Sequence, residues 1–184
     1  MTEPDSYAPS DLTDGRQQGD WKSRYSDKEP RRAILFEAVY ISLLFFACPV
    51  LLYLIWGGLV SSVLGLEGEK SDTLCRYAYA WVGGLFGGTL FDLKWLYHSV
   101  AHGVWNRDRL LWRILAPHLS SGLAFAVATM IASGVLVIFN PDSLNKPALV
   151  VGTAFLVGYF SDTALAKLSD VAYSLFGGRR RNGS

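Results

Sequence analysis

Three things are scarce in this chain of 184 residues: cysteine, histidine and, over long runs, charge. Two cysteines cannot build a disulfide framework. Cys48 is expected at mid-depth of an apolar span and Cys75 near the outer surface, too far apart in depth for an intrachain bond, with pairing of Cys75 between subunits as the alternative. Three histidines are too few for the histidine-rich centres of membrane hydroxylases and desaturases. Basic and acidic side chains number 17 and 16, a net charge of +1, which argues against nucleic-acid binding. The chain also lacks a Gly-x-Ser-x-Gly elbow, a phosphate-cradling loop ending in Gly-Lys-Ser/Thr and a His-Glu-x-x-His helix, so no hydrolase or nucleotide signature stands out. The widest gap is in charge: residues 38–66 and 114–141 contain no Asp, Glu, Lys or Arg, and neither do 77–91 and 147–161. Because roughly 20 apolar residues in a helix already cross a bilayer core, these stretches exclude an ordinary soluble domain.

What is present reads as an all-α integral membrane protein, with four transmembrane helices and amphipathic helical extensions on the cytoplasmic side. The spans are expected at about 33–57, 77–93, 114–139 and 147–161, inside a membrane domain of residues 31–177. Pro49 removes a backbone donor from the first and is expected to kink it. The second and fourth are short, so each is expected to continue as helix past its inner charged end, the fourth as an amphipathic inner helix over 161–176. Residues 1–30, rich in Asp, Ser, Pro, Gly and Gln, read as a disordered cytoplasmic leader and 178–184 as a basic tail, and the first span is too long and too far from Met1 to read as a cleaved signal peptide.

Lys22, Arg24, Lys28, Arg31 and Arg32 precede the first span, Lys94, Arg107, Arg109 and Arg113 separate the second and third, and Lys167 with Arg179, Arg180 and Arg181 follows the fourth. The other two connections hold only Lys70, Arg76 and Lys146. Thirteen basic residues against three predict both termini on the cytoplasmic side of the cell inner membrane.

Helices in lipid gain no hydrophobic energy by meeting, so small residues mark where they touch. Ala80, Gly84 and Gly88 recur at four-residue spacing in the second span, with Gly83 and Gly87 beside them. The third span carries Ser120, Ala124 and Ala128, and the fourth Ala154 and Gly158. These faces are expected to pack the bundle within one chain, with a subunit interface on the glycine face of the second span as the alternative. Gly88-Thr-Leu-Phe-Asp92 and Gly158-Tyr-Phe-Ser-Asp162 each set a glycine four residues before an aspartate at an inner end, either a duplicated hairpin or a chance match.

The inner interface collects the titratable residues: Glu37, Asp92, Lys94, Arg113, Asp162 and Lys167. They are expected to pair and snorkel, with Ser161 or Asp162 capping the inner helix; a ring of carboxylates around a pore between subunits is the alternative. His98 and His102 lie one helical turn apart, and His118 can approach from the next helix. With Asp92 they form a candidate metal set, weighed against interfacial histidines bonded to water, lipid phosphate or backbone. No catalytic residue and no cofactor is expected.

Gly83 through Gly88, the stretch Lys94-Trp-Leu-Tyr-His98 to Arg113, the Ala116-Pro117-His118 start of the third span, and Gly158-Tyr-Phe-Ser-Asp162 onward to Leu175-Phe176-Gly177 carry a resemblance. Residues 80–177 resemble a loose group of bacterial multi-pass inner-membrane proteins with a glycine-rich span and a terminal Phe-Ser-Asp helix. The resemblance implies a bacterial inner-membrane module and no particular activity. The small-residue faces, the amphipathic inner segments and the lack of a catalytic constellation point to a non-enzymatic function: an oligomerising membrane effector, channel-like element or scaffold for a cytoplasmic protein partner. A metal-binding or transport protein using the inner histidines and carboxylates is the alternative.

Overall fold

A computed structural model describes residues 22–136 and 146–177. It is helical throughout, with no strand among the described residues. α1 (Lys28–Trp56) is followed by a short α2 (Leu59–Leu64), a long α3 (Glu69–Ala101), a 3-10 turn (Arg107–Arg109), α4 (Leu110–Ala132), α5 (Pro147–Tyr159) and α6 (Ser161–Phe176). α1 starts five residues before the expected position 33, behind Asp27, with Glu29 in its first turn, and runs continuously through Pro49. It ends at Gly57–Gly58, where Gly58 takes φ +75, a left-handed turn that a side chain disfavours. Residues 1–21, most of the expected leader, and the tail 178–184 lie outside the described residues.

α3 is the axis of the bundle. Gly83 and Gly87 face Val151 and Phe155 of α5 in the same chain direction, whereas Gly84 and Gly88 face Ala124 and Ser120 of α4 in the opposite one. α3 and α5 therefore run parallel and α4 runs against them. An aromatic ladder ties the remaining helix in: Phe45 of α1 lies 5.2 Å from Phe86 of α3, which lies 5.6 Å from Phe155 of α5. The core between them is built from Ile41, Cys48, Ile55, Ala80, Leu85, Val127, Ile131, Val150 and Ala154.

Two expectations about the spans need correction. The helix expected to run from 114 to 139 ends at Ala132, where Ser133 and Gly134 (φ +76) turn the chain; residues 137–139 lie outside the described set. Among the described residues, length and composition make two helices able to cross a membrane, Lys28–Trp56 and Arg107–Ala132, or three if α5 and α6 count as one broken span, but not four. The reason lies in α3. It is 33 residues long, yet glycine, tyrosine and tryptophan occupy much of its middle, where neighbouring helices cover most positions and Trp81 alone stays strongly exposed. α5 and α6 meet at Phe160 with a bend of 96°.

Candidate functional site

The charged end of the bundle is shaped by how closely the glycines let the helices approach. A Cβ on Gly84 would collide with the Ala124 methyl and sit 2.8 Å from the Ser120 carbonyl; on Gly88 it would sit 2.6 Å from the Ser120 Cβ and 3.0 Å from the Pro117 Cα. On Gly83 it would meet Ala154 and the Val151 carbonyl at 2.9 Å, on Gly87 it would strike the Phe155 carbonyl, and on Gly158 the Gly84 carbonyl. Ala80, Ala124 and Ala128 are buried in the same seams. The small-residue faces are thus used within the chain, and the alternative of a subunit interface on the glycine face of α3 is withdrawn, because α4 and α5 already occupy it.

Below this seam, Arg113 in the first turns of α4 reaches across to Glu37 of α1. Its Nε donates to Glu37 Oε1 in close contact, and its Nη2 donates to Oε2 at 3.2 Å and to the Asn106 carbonyl at 3.1 Å. The Trp105 indole N–H donates to the same Glu37 Oε2 at 2.9 Å, and its ring lies 5.7 Å from the guanidinium carbon. Trp105 is held in turn by Tyr25, whose hydroxyl accepts the Trp105 backbone N–H at 2.9 Å and whose ring meets the indole edge-on. Glu37 is fully buried and Arg113 4% exposed, so the pair must be bonded on all sides to offset its desolvation. The expected pairing of inner-interface charges is realised here in one place.

Asp92 is the exception. It is fully buried, and neither carboxylate oxygen has a hydrogen-bond partner among the described residues. The charges acting on it are Glu37 and Arg113. Two carboxylates therefore face one guanidinium, and Glu37 holds it; a buried charge left without a partner costs several kcal/mol. Lys94, Asp162 and Lys167 are exposed and stand apart from this cluster. Asp162 lies in the first turn of α6, but the capping residue is Phe160 without a side-chain bond, so neither Ser161 nor Asp162 caps the helix as expected. The two glycine–aspartate segments also diverge: α3 continues straight through buried Asp92, whereas α5 breaks just before exposed Asp162.

The histidines do not gather around Asp92. His98 and His102 share a face with rings 5.9 Å apart, and His102 Nδ1 is 2.8 Å from the His98 carbonyl. His118 Nε2 sits 2.8 Å from the Tyr40 hydroxyl, which also donates to the Ile114 carbonyl at 3.1 Å. No group of three His, Cys, Asp or Glu side chains close enough to hold a metal occurs among the described residues, so the candidate set His98, His102, His118 and Asp92 is not assembled within the chain.

At the opposite end, a cleft of about 620 Å³ opens among Trp56, Ser61, Glu69, Asp72, Arg76, Tyr79 and Pro147. Ser71 donates to Ser61 at 2.7 Å, and the Ser61 hydroxyl lies 3.4 Å from the Cys75 sulfur. Both cysteines are free thiols. Sequence reasoning missed Trp105, Asn106, Tyr25 and Tyr40 as partners of the inner charges. The available signal was weak: an indole and a hydroxyl beside charges of matching depth. No family model, curated protein or solved structure matches the chain.

Proposed function

We propose that the chain is a multi-pass protein of a bacterial inner membrane, with the segment before α1 and helix α6 on the cytoplasmic side, acting without catalysis as a scaffold for a soluble cytoplasmic partner. The antiparallel order of α3 and α4, and the parallel order of α3 and α5, fit alternating crossings. α5 starts at the cleft shared with Trp56 and Tyr79 and stops where Tyr159 lies 5.9 Å from Phe91, so its 13 residues cover nearly the depth that α3 covers from Tyr79 to Phe91. The basic-residue count supports the orientation.

The observation that carries the scaffold reading is the 96° break at Phe160. It sets α6 off the axis of α5, with Leu168 packed against the core while Leu165, 53% exposed, and Tyr173, 49% exposed, lie among polar residues such as Ser161, Asp162 and Lys167, a form suited to the membrane surface or to a partner. Two experiments test it. Single cysteines at positions 23, 102 and 169, in a background without Cys48 and Cys75, should react with an impermeant thiol reagent only from the cytoplasmic side, and one at position 64 only from the other; the reverse pattern or a mixed one removes the topology. Photo-crosslinkers at positions 165 and 98 should trap a soluble protein in native membranes, while one at position 63 should not. Adducts to lipid alone from every position would remove the scaffold.

A second reading, transport, rests on Asp92 alone. Asp92→Asn in proteoliposomes should abolish any cation flux that the wild type supports, and absence of flux in the wild type removes this reading.

A further inference from the structure

Between the end of α3 and the start of α4 lies a cleft of about 410 Å³, lined by Trp95, Ser99, Asp108, Arg109, Trp112 and Arg113. A volume of this order matches the lower range of small-molecule pockets. Its two indoles are half exposed, at 48% for Trp95 and 47% for Trp112, the placement that suits aromatic side chains to the boundary between acyl chains and water. Its charges are unevenly committed. Arg113 is buried and already satisfied by Glu37 and the Asn106 carbonyl. Arg109 and Asp108 are exposed, and among the described residues neither side chain has an ion pair or hydrogen bond, not even with the other. The free charges facing the cleft are therefore one cation and one anion, side by side on a rigid 3-10 turn that Asn106 caps through the Asp108 N–H at 2.9 Å.

We propose that this cleft binds the headgroup of a zwitterionic aminophospholipid, with the lipid phosphate on Arg109 and its primary ammonium on Asp108, flanked by Trp95 and Trp112. The charge pattern selects the class. A purely anionic headgroup would satisfy Arg109 but meet Asp108 as a like charge, and a quaternary ammonium would offer Asp108 no hydrogen bond. The two tryptophans supply apolar wall for the glycerol and upper acyl chain, and the Glu37–Arg113 pair fixes the floor. The assignment rests on the reading that this end of the bundle lies at a membrane interface, which the cysteine labelling above checks separately.

The test uses the full chain in nanodiscs holding equal amounts of phosphatidylethanolamine, phosphatidylcholine and phosphatidylglycerol, with native mass spectrometry reading which lipid stays bound. The wild type should retain phosphatidylethanolamine in preference to both others. Asp108→Asn should lose about tenfold of the preference over phosphatidylcholine, and Arg109→Gln about tenfold of total retention, each the size of one charge-assisted hydrogen bond. Arg107→Gln removes the same charge one turn position away, outside the cleft, where Arg107 lies 3.7 Å from Glu29, and should change neither. All three positions are exposed, so the fold survives, which an unchanged thermal midpoint in detergent verifies. Preference for phosphatidylglycerol, equal losses in the Arg107 and Arg109 variants, or full displacement by millimolar free phosphoethanolamine would each overturn the proposal; the last would assign the cleft to a soluble ligand. Intact labelling topology with no lipid preference overturns the cleft alone.

Discussion

α1 and α3 are both long helices, and they meet opposite surroundings. α1 is uncharged and apolar from Ala38 to Trp56, and only 17% of its most apolar window is buried; Leu43, Phe46 and Tyr53 are 67–70% exposed. α3 is less apolar, yet from Tyr79 to Asp92 most of its side chains are buried, because α1, α4 and α5 enclose it. Hydropathy therefore follows what covers a helix and not how deep it lies. A helix facing lipid must be apolar outward, whereas one surrounded by other helices needs small residues that let backbones touch.

That contrast can be broken in order of expected effect. Gly87→Leu should abolish the folded bundle, since even a Cβ there strikes backbone of α5; the expected loss exceeds about 3 kcal/mol, beyond ordinary overpacking. A thermal midpoint in detergent within a few degrees of wild type would show that α3 and α5 do not touch there. Arg113→Leu should cost about 3–5 kcal/mol by leaving Glu37 buried and alone, while Glu37→Leu/Arg113→Leu together should cost less than Arg113→Leu by itself. Equal costs for the single and double variants would argue against the pair. Asp92→Asn should stabilise by about 1–3 kcal/mol, because a neutral amide replaces a buried carboxylate that has no hydrogen bond to lose; a loss of stability would mean that its oxygens have partners outside the described residues. Smallest of all, Gly152→Ala should be neutral or stabilise by up to about 1 kcal/mol, since nothing lies within 4 Å of the added methyl. A clear destabilisation would place another surface against the outer side of α5.

The sequence disclosed the small-residue stripes on α3, α4 and α5 because four-residue spacing is a local property. It left open which stripe met which helix, since Gly84 and Gly83 are adjacent in sequence and serve different neighbours. Glu37 and Arg113 were recognisable as charges of similar depth, but their bond joins residues 76 apart and needs Trp105 and Asn106 from a connecting loop with no periodicity to read. Asp92 and Asp162 looked alike for the same reason: the pattern around each is local, and the break at Phe160 that separates their fates is set by packing. The length of the third helix was overread because residues 133–139 remain uncharged while Gly134 ends the helix before them.

The enclosure of α3 also has a consequence in time. In synthesis α3 precedes both helices that fill its glycine faces, so at first only α1 and α2 are present to cover it. Until α4 and α5 follow, its glycine grooves and Asp92 lack the covering they have in the finished bundle. The bundle is therefore expected to mature late and all at once, with α5 as the closing element, and a chain stopped before residue 147 should be the form that quality-control proteases recognise.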